Sequence, residues 1–221
     1  MSSRLNVNTK SFVVTASLAA FLTIQGCSSS TPPEEHFKKA QESFMTHDFK
    51  ASEIELKNAL QQNPSYSEAR VLLGKIFLTT GNSRAASIEF KKALESNNSS
   101  ATTILLGKSL LLEGNSQEVI AKFQPLLDDT SELQAQKNIF LGEAYLQLQD
   151  LNKATEHFSS ALALSPESSK ARQGLARVAI VNNQPDKALA LIDQAIEKDN
   201  NSTHAWLTKA DIESAQKNPS E

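Results

Sequence analysis

The chain has 221 residues with 22 basic and 25 acidic side chains, a formal charge of −3, and 39 % apolar but only 6 % aromatic residues. That apolar share can build a core and argues against wholesale disorder, while the near balance of charge excludes the global attraction that draws a basic protein to nucleic acid. One cysteine excludes an intramolecular disulfide and a multi-thiolate zinc site, and seven glycines and seven prolines are few for an all-β chain, so helices are favoured.

The first 26 residues read as an address. Arg4 and Lys10 stand in the opening decapeptide without an acid, and residues 12–24 are an uncharged, mostly apolar run that ends in Ile24-Gln25-Gly26-Cys27. This is the layout of a secretory signal, and the run falls well short of the roughly 20 residues a transmembrane helix needs. The segment resembles a bacterial lipoprotein signal, in which Ile24, Gly26 and Cys27 occupy the −3, −1 and +1 positions of the lipobox and Gln25 is an imperfect fit at −2. The resemblance implies cleavage before Cys27, acylation (palmitate among the chains) of that cysteine, and a lipid anchor. Ser28 at +2 implies the outer membrane of a Gram-negative cell, facing the periplasm. Residues 27–33 then form a lipidated tether without periodicity.

Beyond the tether the chain repeats itself. Leu141-Gly142-Glu143-Ala144-Tyr145, followed by Asp150, Ala154, Phe158, Ala161 and Pro166, aligns without gaps on Leu73-Gly74-Lys75-Ile76-Phe77, followed by Asn82, Ala86, Phe90, Ala93 and Asn98. The pattern is similar to the tetratricopeptide repeat, with a small residue at position 8, small residues at 20 and 27 and a large one at 24. Position 8 recurs at Ala40, Gly74, Gly107, Gly142, Ala176 and Ala210. The resemblance implies an all-α fold, a right-handed α-solenoid of about five full tetratricopeptide (TPR) repeats plus a final helix. The repeats span about 33–66, 67–99, 100–134, 135–168 and 169–202, with a partial or capping helix over 203–217 and the array as a whole covering 34–217. Small residues at 8, 20 and 27 let the two helices of a pair approach to about 8–10 Å, and Leu56, Phe90, Phe123, Phe158 and Ile192 at position 24 fill the space beside them.

Turn residues keep the same register. His47-Asp48, Gly81-Asn82, Gly114-Asn115, Gln149-Asp150 and Asn183-Gln184 separate the helices of each pair, where Gly or Asn accepts the left-handed conformation that closes a helix. Pro125 stands inside what would be the second helix of the third repeat, so that helix is predicted to end or kink near Phe123. Residues 126–132 then read as the longest irregular connection. In the final helix Trp206 and Ile212 are expected to pack back on the fifth repeat, with Lys209, Asp211, Glu213 and Gln216 on a polar outer face.

Catalytic signatures are lacking: there is no HExxH, GxSxG, GxGxxG or phosphate-cradling glycine loop. His36 and His157 fall on predicted helices without a second ligand nearby, and His47 and His204 fall at turns. Asp128, Asp129, Glu132 and Asp150 read as a solvated acidic face. No catalytic residue, metal site or cofactor is expected, and neither nucleic acid nor a small-molecule substrate. A protein or peptide partner is expected instead, in the concave groove that stacked helix pairs create. Positions 5, 9 and 12 of the first helices line it: Val71, Lys75 and Leu78; Ile104, Lys108 and Leu111; Ile139, Glu143 and Leu146; Gln173, Arg177 and Ile180. That apolar strip, with Lys75, Lys108 and Arg177 along it and Glu143 interrupting, suits a peptide with apolar anchors and some acidic character.

The phrases EIELKNALQQNPSYSEARVLLGKIFL, LGEAYLQLQDLNKATEHFSSALALSPESSKARQGLARVAI and AWLTKADI, beside the lipobox, resemble the tetratricopeptide lipoprotein of the PEP-CTERM and exosortase system (the PrsT type). Members of that family are longer arrays, so residues 203–217 are either a capping helix or the end of a truncated copy. The resemblance implies a non-enzymatic scaffold in exopolysaccharide assembly or protein sorting. A pilotin or assembly chaperone for an outer-membrane secretin is the alternative.

Overall fold

A computed structural model of the chain describes residues 31–124 and 129–217. Cys27, the signal and most of the tether lie outside the described residues, as do Pro125 and the 126–128 part of the predicted connection. The described residues form eleven helices and no strand: α1 Pro33–Met45, α2 Phe49–Gln62, α3 Ser67–Thr79, α4 Ser83–Ser96, α5 Ser100–Leu112, α6 Ser116–Lys122, α7 Ser131–Gln147, α8 Leu151–Leu164, α9 Ser169–Val181, α10 Pro185–Lys198 and α11 Thr203–Lys217. None is long and apolar enough to cross a membrane.

Turn chemistry pairs the helices. Two residues past the end of α1, α3, α5, α7 and α9 the chain takes the left-handed conformation, with positive φ at His47, Gly81, Gly114, Gln149 and Asn183. Only three of these five are the Gly or Asn that such a backbone favours. His47 and Gln149 adopt it at a cost of about 1–2 kcal/mol each, which the surrounding packing must offset. The next residue caps the following helix: Asp48, Asn82, Asn115 and Asp150 accept the backbone N–H of Ala51, Ala85, Glu118 and Lys153. At α10 Gln184 makes no such bond, and Pro185 at the first helical position has no N–H that needs a partner.

Packing follows the small-against-large logic. The position 24 residues Leu56, Phe90, Phe123, Phe158 and Ile192 are all fully buried. Glycines make room for their rings: a Cβ built on Gly74 would lie 2.5 Å from Phe90 Cε1, and one on Gly142 would lie 2.7 Å from Phe158 Cδ1. In the first pair Ser52 takes the small position and its Oγ donates to the Ala40 carbonyl at 2.7 Å, which ties α2 to α1. Each even helix packs on the odd helix before it and on the odd helix after it, and consecutive odd helices also touch. The core is accordingly a row of four clusters rather than one centre. The odd helices form one layer of this row and therefore line its inner side.

Pro33 opens α1, at the expected start of the first repeat. Two local expectations change. α6 has 7 residues, half the length of the other even helices, and α7 starts at Ser131, so Ser131 and Glu132 belong to a helix and not to the irregular connection. Thr130 Oγ1 caps α7 by accepting from Leu133 N. The side chain of Lys137, 6 % exposed, reaches back to Asp129 at 2.6 Å and pins the connection to α7. On α11, Ile212 packs on the fifth pair as expected but Trp206 is 49 % exposed, its Nε1 donating to the Asn200 carbonyl. Leu207 and Ala210 are exposed too, so the outer face of α11 is mixed rather than polar. No even helix follows α11 among the described residues to cover the small position at Ala210.

Candidate functional site

The inner layer places the predicted groove residues unevenly. One concavity on it, about 440 Å³, lies where α5, α7, α9 and the start of α11 meet. Lys108, Leu111, Ile139, Glu143, Gln173 and Arg177 line it, six of the twelve predicted side chains, because positions 5, 9 and 12 of neighbouring odd helices stack along the layer. Leu112, Phe140, Gln147, Lys170, Asp199, Ser202 and His204 complete the wall. Val71 and Lys75 line a separate cavity of about 330 Å³ near Phe37 and Gln41. Leu78 and Ile104 pack against the second core cluster, Leu146 is buried, and Ile180 borders a small hollow against α11 with Ile212.

Charge is distributed differently from the expected strip of three cations. Arg177 Nη1 bonds Glu143 Oε2 one repeat away, so these two groups neutralise each other across α7 and α9. Glu143 does not interrupt the strip; it balances it. Lys108, and Lys170 at the start of α9, have no ion-pair partner among the described residues. Asp199 accepts from Asn201 N and keeps its negative charge. The cavity therefore carries three basic side chains, Lys108, Lys170 and Arg177, against Glu143 and Asp199, a positive excess of one over an apolar floor of Leu111, Ile139 and Phe140. Its rim is held by Gln147, which accepts from Ser116 Oγ at 2.6 Å and donates to the Leu111 carbonyl. That cross-tie joins the end of α5 and the first residue of α6 to α7.

The other titratable candidates do not converge. Asp129 is held in its ion pair with Lys137, Asp150 is a cap, Glu132 is exposed in the first turn of α7, and Asp128 is outside the described residues. Asp129 thus departs from the solvated face predicted for it, since the short α6 brings it under α7. His36 bonds Glu55, and His157 Nδ1 meets Asn138 Oδ1 at 2.9 Å while its ring stacks on Tyr145. Burial holds the His157 pKa below its ordinary value, with Glu156 opposing and Lys153 assisting. Among the described residues no group of three or more His, Cys, Asp or Glu could hold a metal ion.

Models of the tetratricopeptide repeat match residues 67–100 and 145–212. MamA from Desulfovibrio magneticus RS-1 superposes with a TM-score of 0.64 at 18 % identity, over 77 % of this chain and 97 % of that one. The fold is a tetratricopeptide α-solenoid. PilW, described as a type IV pilus biogenesis factor, superposes with a TM-score of 0.67 at 19 % identity, over 84 % of this chain and 86 % of that one. YrrB, described as a tetratricopeptide protein with an unusual peptide-binding site, gives 0.59 at 16 % identity, over 80 % and 91 %. No curated protein matches the chain significantly.

Residues 101–144 fall between the two tetratricopeptide matches, and they contain the short α6 and the early start of α7. The candidate cavity is built on this irregular repeat and its successors. Sequence reasoning missed Leu112, Phe140, Gln147, Lys170, Asp199, Ser202 and His204 as lining residues. The first three follow the groove positions Leu111, Ile139 and Leu146 by one residue, and the other four come from the turn before α11 or from the first turns of α9 and α11, which a repeat pattern of helix interiors does not mark.

Proposed function

We propose that this chain is a non-enzymatic protein-interaction scaffold, anchored through lipid on Cys27 to the periplasmic face of the outer membrane, that holds a segment of a partner protein against its inner helix layer. The observation that carries this reading is the open 440 Å³ cavity on that layer, with an apolar floor and two lysines lacking partners. Apolar surface left uncovered beside unpaired charge is what a recognition groove offers a ligand, and stacked helix pairs present such surfaces routinely. The likeness to YrrB supports a peptide as ligand. Service in exopolysaccharide assembly or PEP-CTERM protein sorting rests on the phrases quoted from the sequence. Replacing Cys27 by Ser tests the anchor: the protein should move from the membrane fraction to the soluble periplasmic fraction, and retention on the membrane would refute lipidation at that residue.

The likeness to PilW favours a second reading, an assembly factor for an outer-membrane secretin of a type IV pilus or secretion system. A deletion strain separates the two. Loss of secretin multimers with intact polysaccharide export supports the second reading, and the reverse outcome supports the first.

A further inference from the structure

Once Arg177 is set aside as the neutralised partner of Glu143, the charged groups left in the candidate cavity are Lys108 and Lys170, on different repeats and opposed by Asp199 alone, beside one apolar floor. We infer that this cavity is the anchor subsite of the groove and takes a large apolar side chain of an extended peptide together with an acidic side chain beside it. The apolar side chain lies on Leu111, Ile139 and Phe140, and the acid meets Lys108 or Lys170. This assignment rests on the inner layer being the binding surface.

Three observations commit the site to that occupant. Lys108 follows the apolar Leu106-Gly107 step on α5 with its side chain exposed, whereas the neighbouring position 9 cation, Arg177, is held by Glu143. Lys75 on α3 likewise has no ion-pair partner among the described residues but lines a separate cavity, so Lys108 and Lys170 are the unpaired cations that flank this one. Leu112, at the rim, is 62 % exposed, an apolar side chain in contact with water on the side where a ligand would cover it. The volume of about 440 Å³ is at the lower end of small-ligand cavities and exceeds what one side chain fills, so the subsite holds a pair of neighbouring residues. A basic or purely polar segment would leave Lys108 and Lys170 opposed by like charge or by Asp199 alone, and an acid would be steered in by them. Lys75, in its own cavity near α1, is not part of this subsite.

The test uses a random dodecapeptide display library selected on the purified full chain in detergent, followed by fluorescence anisotropy with an enriched peptide. Enriched sequences should place Asp or Glu within two residues of Leu, Ile, Met or Phe. Lys108→Glu should weaken the peptide about tenfold, and exchanging the peptide's acid for lysine should restore binding to that variant. Leu112→Ala should weaken binding as well, and Lys75→Glu should leave it within about twofold. Both lysines are exposed, so the helical far-UV signal should be unchanged in each variant. Enriched peptides whose affinity is indifferent to both Lys108→Glu and Lys170→Glu would overturn this assignment while leaving the groove reading in place. A library from which nothing is enriched would overturn both.

Discussion

Gly174 offers a test of the packing that a repeat consensus would not suggest, since the small residue of its repeat at position 8 is Ala176. A Cβ added at Gly174 would lie 2.5 Å from Phe158 Cζ and 2.6 Å from Cδ1, about 1 Å inside ordinary carbon contact. Phe158 cannot give way. It is fully buried, and the same Cδ1–Cε1 edge is closed in by Gly142 of α7, where a Cβ would lie 2.7 Å from both atoms. Overpacking costs about 1–3 kcal/mol, and an overlap this deep on a fully buried ring belongs in the upper part of that range, about 2–3 kcal/mol. Against it stands the better helix propensity of alanine, worth about 1 kcal/mol in a helix interior. The net loss for Gly174→Ala should be about 1–2 kcal/mol, a fall in Tm of about 2–8 °C for an array of this size. Thermal and urea unfolding followed at 222 nm would measure it. The double variant Gly174→Ala with Phe158→Leu should destabilise less than the sum of the two single variants, because the smaller side chain vacates the contested space. A Gly174→Ala protein as stable as the parent, or strict additivity in the double variant, would refute the claim that one ring is shared by two repeats.

Ala86→Leu and Ala154→Leu each insert three carbons into fully buried sites between paired helices, and each should cost about 1–3 kcal/mol in urea titrations; an unchanged midpoint would contradict the assigned register. Lys137→Ala removes the cation from an ion pair in which both partners are more than nine-tenths buried, and should lose about 3 kcal/mol at neutral pH, well beyond the effect of Lys153→Ala at the exposed pair with Asp150. Equal effects of the two would refute the role given to Lys137. For His157, burial lowers the folded pKa below the ordinary 6.5, so the unfolded chain binds the proton more tightly. Stability from the neutral ring is fully present above about 6.5 and declines as pH falls from there toward the lowered folded value. His157→Gln should flatten the fall of Tm with acidification in that window, and parallel pH profiles would show that the ring does not titrate in this way.

The helical architecture was legible because it is a nearest-neighbour problem. Small residues at positions 8, 20 and 27, large ones at 24, and Asp or Asn capping residues each act within one helix pair, and most pairs restate them, with Val119 at position 20 of the third and Gln184 before α10 as departures. Position 24 residues such as Phe90 and Phe158 are buried where the pattern places them. The one proline that breaks the pattern pointed to the short α6, which ends at Lys122. The lining of the candidate cavity was half legible. Helix periodicity identified Lys108, Leu111, Ile139, Glu143, Gln173 and Arg177 as facing the same way, since side chains spaced along successive parallel helices must share a layer.

What periodicity could not supply is which of those charges remain available and where the layer is hollow. The Glu143–Arg177 bond spans 34 residues, Gln147 bridges to Leu111 across 36, and Lys137 is buried against Asp129 only because α6 is half as long as the other even helices. Each depends on the distance between repeats and on the rotamers that meet there, quantities that local propensity does not encode. The sequence alone therefore determined the repeat, its period and the small-against-large packing. The tertiary structure decided that Lys108 and Lys170 share one cavity while Lys75 lies in another, and that ion pairing between repeats neutralises Arg177.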